Sequence, residues 1–165
     1  MKMHTLHDLF IHELQDLYSA ENQILEAMPK IIKAATNEKL IRAFEKHMQE
    51  TKEQVRRLEE ISDDLEIEIK GDKCQGMEGL LKEGEKLLKA DIEKDVLDAA
   101  LIVAAQKVEH YEIAGYGTAV VYGNLMKHRT AVKLLKLTLN EEEVADKELS
   151  NLAMNKGINE NALNE

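Results

Sequence analysis

One cysteine, one proline, two phenylalanines and no tryptophan occur in the 165 residues. The single thiol, Cys74, excludes an intrachain disulfide framework and a cysteine-built zinc site. It is expected as a small buried or loop thiol. With one Pro and eight Gly, little in the chain breaks helices. No apolar run approaches the ~18–20 residues that span a bilayer. The opening Met1-Lys2-Met3-His4-Thr5 leads directly into an amphipathic pattern containing acids, not into a signal peptide. Positive charge is also in deficit: 22 Lys and Arg stand against 32 Asp and Glu, a formal net charge of −10. That balance argues against binding to nucleic-acid backbones, where basic faces supply affinity, and offers little to an anionic membrane surface. A soluble cytoplasmic protein with neither nucleic acid nor membrane as partner is the expectation.

What is abundant is Ala, Leu, Ile, Met, Glu and Lys, the helix formers, in a length that suits one domain. Leu6, Leu9, Phe10, Leu14, Leu17, Ile24 and Leu25 recur at helical spacing after Thr5, which resembles a capping-box residue with Asp8 in the Glu role. Pro29 predicts a kink or restart there, with Lys30 to Ala35 as a short extra piece. Asn37 is a good N-cap for a second helix carrying Leu40, Phe44, Met48, Thr51, Val55 and Leu58 and lasting to about Leu65. Residues 66–79 read as a connection, with a short helix from Leu80 to Ala90 following inside it. A third long helix runs from about Asp91 to Leu125, small and apolar almost all round at Ala99 to Ala105, as in a well-buried helix. Its glycines Gly115, Gly117 and Gly123 suggest close helix packing. A fourth helix spans about His128 to Met154.

Helices of ~25–30 residues are each about 40 Å long. The first two and the last two are joined by short connections, which makes two antiparallel hairpins, and the middle connection is long. The expected fold is therefore all-α: a ferritin-like four-helix bundle with one long crossover that contains a short extra helix. Residues 1–157 form the single domain, and residues 158–165 a polar C-terminal tail.

Carboxylates fall where a core should be. On a wheel of 100° per residue, Glu21 lies about 40° from the apolar centre of the first helix, and Glu13 at a similar offset on the other side. Glu142 sits near the middle of the fourth helix's stripe, between Thr138, Ala145 and Leu149, with Asp146 one turn on. The second helix carries His47, Glu50 and Gln54 along one edge of its stripe, while Glu53 points to solvent. On the third, Gln106 and His110 fall on the apolar face, Glu109 borders it and Glu112 lies further round. An ionised carboxylate in an apolar core is costly unless it is paired or binds metal. Two divalent ions side by side would be neutralised and bridged by such a set, and oxygen ligands with occasional imidazole suit Fe and Mn, and less strictly Zn. The bundle template asks for one Glu from each of two helices and Glu-x-x-His from the others. Here Glu53 and Ala145 stand where those His would be. His47, three before Glu50, and Asp146, four after Glu142, are the substitutes. The candidate ligands are Glu21, His47, Glu50, Glu109, Glu112, His110, Glu142 and Asp146. A buried Glu–Lys/His network without metal is the alternative.

The runs Asp16-Leu17-Tyr18-Ser19-Ala20-Glu21-Asn22-Gln23, His47-Met48-Gln49-Glu50-Thr51, Ala105-Gln106-Lys107-Val108-Glu109-His110-Tyr111-Glu112 and Leu139-Asn140-Glu141-Glu142 resemble the YciF family of bacterial stress proteins. The resemblance extends from Thr5 to about Ala153. It implies a ferritin-like, rubrerythrin-related bundle that dimerises and has a proposed di-iron or di-manganese site. Rubrerythrins are similar in the spacing of Glu109, Glu112, Glu142 and Asp146, but their iron–sulfur domain has no counterpart in a chain with one Cys. Three functions are then expected in order: a dimetal oxidoreductase of stress response acting on oxygen or peroxide, with Tyr18, Tyr111 and Tyr116 near the ligands; a metal store or scavenger without turnover; and a structural or partner-binding bundle with a metal-free polar core. A homodimer is expected in each case.

Overall fold

Thr5 and Asp8 close a reciprocal capping box: the Asp8 N–H donates to Thr5 Oγ1 (3.1 Å) and the Thr5 N–H to Asp8 Oδ2 (2.9 Å). The helix they start, α1, spans Leu6–Ala34. The computed structural model describes residues 3–155 and 157–164. Met1 and Lys2 of the opening stretch, Lys156, and Glu165 of the tail lie outside the described residues. Asn37 caps α2 (Glu38–Leu65) by accepting from the N–H groups of Lys39 and Leu40 at 3.0 and 3.3 Å. The long connection contains α3 (Gln75–Lys89), capped by Cys74, whose Sγ accepts from the Met77 N–H. Then come α4 (Lys94–Leu125), α5 (Arg129–Asn155), α6 (Ile158–Asn161) and a single 3₁₀ turn at Ala162–Asn164. No strand occurs among the described residues.

Specific contacts give the directions. The Asp98 carboxylate, near the start of α4, accepts from the N–H groups of Thr36 and Asn37 just past the end of α1, so α1 and α4 run antiparallel. Lys46 reaches Glu148 while Arg57, three turns further along α2, reaches Glu141, so α2 and α5 are antiparallel too. The chain leaves α2 at one end, where Gln15 donates to the Glu68 carbonyl, and enters α4 at the other. The crossover thus travels the length of the bundle, as the ferritin-like layout requires. Packing neighbours form the ring α1–α2–α5–α4, with α3 lying outside against α1 and α4.

Three details differ from the reading of the sequence. Pro29 does not interrupt α1. It lies on the exposed face, where the carbonyl four residues back can be hydrated, and tertiary packing on both sides carries the helix through. The crossover helix begins at Gln75, five residues earlier than its apolar pattern suggests, because Cys74 acts as its cap. Past Gly157, where a polar tail was expected, Ile158 is fully buried and α6 packs on α4 and α5.

The apolar core is in two parts. One, around Ile24, Phe44, Leu101 and Leu149, fills the end near the α1–α2 turn. The other, around Phe10, Leu58, Tyr116 and Leu135, fills the end near the α4–α5 turn. Between them lies a buried polar layer containing Glu21, His47, Thr51, Gln54, Glu109, Glu112, Thr138 and Glu142.

Candidate metal centre

Every helix of the ring contributes to that layer. From α1 comes Glu21, one turn beyond Leu17; from α2, His47; from α4, Glu109 and Glu112, three apart and on one face; from α5, Glu142. His47, Glu109, Glu112 and Glu142 each present one ligand-type atom, and these atoms all lie within 4.8 Å of one another. Glu21 is alongside: its carboxylate accepts a short hydrogen bond from the Tyr116 hydroxyl.

The charges in this layer are costly. Burial first, then the repulsion of Glu142, holds the carboxyls of Glu21 and Glu109 well above the ordinary range. Glu112 is raised in the same way, by burial and then by Glu21. Burial pushes Glu142 up to about 7 and His47 down to about 4. At neutral pH the metal-free layer is thus a set of partly protonated acids around a neutral imidazole.

A supporting network holds one ligand in place. Gln54 Nε2 donates a short hydrogen bond to Glu142 Oε1 and another, of 3.1 Å, to Glu141 Oε2. Arg57 grips Glu141 with two parallel bonds of 2.6 and 2.7 Å and also donates to Thr138. By sequence Gln54 is only an edge residue of its stripe, and nothing there marks Arg57 or Glu141. No spacing marks Glu141, which adjoins Glu142 and points elsewhere on the same turn. Only the packing of α5 on α2 reveals the chain of contacts.

Of the eight candidate ligands, the structure brings five into the layer and leaves three outside or at its edge. His110, expected on the apolar face, has a side chain 66% exposed, and its nearest carboxylate is Asp146 at 3.5 Å. Asp146 is partly exposed and accepts from Gln106. The reason lies in α4, which is apolar on nearly every face, so that its mean apolar direction does not identify the buried side; Val103 and Val121 are more than half exposed. Glu50 is half-buried at the edge and pairs with Lys46 at 3.4 Å. Glu13, at a similar offset to Glu21 on the wheel, is also half-buried and not part of the cluster. Among the tyrosines, Tyr116 touches the layer, whereas Tyr111 donates to Asp16 and Tyr18 to Glu59.

Fold and site together define a four-helix bundle with a long crossover and a carboxylate–histidine cluster in its core. The chain belongs to the family described as a domain of unknown function, DUF892, whose model matches residues 5–163. It is 46% identical to Protein YciF of Escherichia coli over 165 residues, 99% of each chain. The crystal structure of that stress protein superposes with a TM-score of 0.90, covering 93% of this chain and 97% of that one. YcfI from Rhodopseudomonas palustris, described as a candidate structural protein, is 39% identical with a TM-score of 0.89, covering 93% and 98%. A protein from Xanthomonas campestris, 19% identical over 96% of this chain and 98% of its own, has a TM-score of 0.73 and shares the fold.

Proposed function

We propose that this chain is a ferritin-like, rubrerythrin-related dimetal protein of the bacterial stress response, which holds two Fe or Mn ions in the polar layer and acts on oxygen or peroxide. The observation that carries the reading is a set of orphaned atoms. Glu21 Oε2, both ring nitrogens of His47, Glu109 Oε2, both oxygens of Glu112 and Glu142 Oε2 are buried without a hydrogen-bond partner. Buried polar atoms in native proteins are ordinarily satisfied, and a cluster of ligand-type atoms that are not is what a cation would complete. The donor set, oxygen-rich with one imidazole, fits Fe or Mn, with Zn able to occupy the same ligands on purification.

Glu109, Glu112, Glu142 and His47 would hold one ion, and Glu21 with Glu50 at the edge would serve the second. A redox-active pair bound there would supply electrons to oxygen or peroxide. The chain's own residues do the rest. The acids release protons when they take up metal. Gln54, held through Glu141 by Arg57, aims the Glu142 carboxylate. The Tyr116 hydroxyl keeps a proton at Glu21 Oε1. The apolar cluster around Phe10, Leu58 and Leu135 excludes water from the side of the α4–α5 turn.

Elemental analysis after anaerobic reconstitution tests this, with about two ions per chain expected. A stoichiometry near zero would leave the metal-free structural bundle as the better reading. Oxidation kinetics of Fe(II)-loaded protein with oxygen and with peroxide then separate turnover from storage.

The same reading includes a homodimer. Val103 and Val121 on α4 and Leu137 and Val144 on the neighbouring α5 are each about half exposed. A two-fold pairing across this face would bury them. Light scattering at micromolar concentration should report a dimer, and Val121→Glu with Leu137→Glu should give a monomer.

A further inference from the structure

A cavity of about 470 Å³ extends from the polar layer toward the α1–α2 end of the bundle, beneath α3. It is within the ~300–1,000 Å³ typical of small-molecule sites. Its existence follows from small side chains. Ala43, Ala104, Ala105 and Ala145 line it, and so does Gly84 of α3, where an added Cβ would meet nothing closer than the Ala104 Cβ at 4.0 Å. The alanine-rich centre of α4 therefore does not pack tightly against α3. It leaves a chamber whose walls, inside a charged rim, are mainly aliphatic, from Ile24 and Ile31 to Leu88 and Leu101.

The two ends differ. At the inner end His47 and Glu109 line the wall, both more than nine-tenths buried, with His47 Nδ1 and Nε2 and Glu109 Oε2 lacking partners. At the rim Lys30, Lys46, Lys73 and Lys82 stand against five glutamates, and most of these charges are paired: Lys46 with Glu50 and Glu148, Lys82 with Glu78. A rim of paired charges with one acid in excess attracts no anion, so the walls and the inner end decide what enters. A largely apolar chamber with a few convergent polar groups at its inner end is suited to an aliphatic chain with a polar terminus.

We propose that this chamber binds one unbranched aliphatic molecule carrying a terminal oxygen group, with the chain against the alanine wall and the oxygen at His47 and Glu109. The site would give the proposed dimetal centre a substrate class, and for that role alone it rests on the metal reading. Binding itself needs only the chamber.

The test is displacement of a fluorescent fatty-acid probe by decanol, decanoate and decane, on full-length protein with metal content measured in the same samples. Decanol or decanoate should displace the probe, and decane should do so at least tenfold more weakly. Gly84→Leu, which grows into the open space without meeting backbone, should weaken binding at least tenfold without lowering the melting temperature or the metal content. Ala104→Phe should do the same from the opposite wall. If neither decanol nor decanoate binds, or if both filled variants bind as wild type does, the chamber is not a ligand site. Metal content near zero in a protein that still binds decanol would overturn the metal reading and leave this one standing.

Discussion

His47 and Glu109 meet across the bundle from α2 and α4, Nε2 to Oε1 at 3.5 Å, with neither imidazole nitrogen making a hydrogen bond. A buried ring left in that state is what the proposed metal site would complete. His47→Ala should lower metal affinity by tenfold or more with helical content unchanged. His110→Ala should leave affinity as it is, because that ring stands in solvent. Metal titration of the two variants by calorimetry or competition with a chelator checks the pair. Equal losses would put the site on the wrong side of α4.

Glu142 is the acid common to the cluster and the supporting network. Glu142→Ala should abolish tight binding of at least one ion while the helical circular dichroism remains. Glu142→Gln removes a repelling charge as well as a ligand. It should raise the apo melting temperature, by about 2–4 °C per kcal/mol of relief, and lower that of the metal-loaded form. If the Gln variant melted lower in both forms, the carboxylate would be a structural acceptor for Gln54 and no more.

Apo stability should fall as pH rises. Glu21, Glu109 and Glu112 have folded pKa values well above their unfolded ones, and Glu142 is raised to about 7. A carboxyl shifted upward binds its proton more tightly in the native state. Stability is therefore full below the unfolded value and is lost as pH climbs toward the folded one. His47, lowered to about 4, works oppositely, gaining stability as pH rises from about 4 to its unfolded value near 6.5. Above that value only the acids act, so the apo protein should melt lower at pH 8 than at pH 6.5. Bound metal, which takes the native state only, should raise the melting temperature and remove most of the difference. Melting curves of apo and loaded protein at both pH values decide the matter, and a flat apo response would mean that the acids do not share a core site.

Arg57 never touches the cluster, yet it fixes Glu141, and through Gln54 it fixes Glu142. Arg57→Ala should cost about 10–100-fold in metal affinity, the range for outer partners of ligands. Arg57→Lys should recover only part of this, since one ammonium does not reproduce two parallel bonds. No change in affinity in Arg57→Ala would show that packing alone orients Glu142.

Gly115 lets α4 approach α1. A Cβ there would lie 2.8 Å from Leu17 Cδ2, and Leu17 is fully buried. Gly115→Ala should destabilise by about 1–3 kcal/mol, as overpacking does. Gly117→Ala meets nothing within 4 Å and should be neutral or stabilising. Urea unfolding of the two variants checks both.

The helices, their caps at Thr5 and Asn37, and the hairpin–crossover–hairpin order were legible in the chain itself, because caps and apolar periodicity act within a few residues and connection lengths restrict which helices can be neighbours. Glu21 and Glu142 were legible for the same reason, since each interrupts a clear apolar stripe. On α4 the periodicity carried no such information: with apolar residues on every face, His110 and Glu112 could not be told apart as outward and inward until α1 and α5 packed against it. The grip of Arg57 on Glu141, the seat of Ile158 and the chamber under α3 likewise came only with tertiary structure. Each depends on residues far apart in sequence, whose distance in space is set by how whole helices pack rather than by any local spacing.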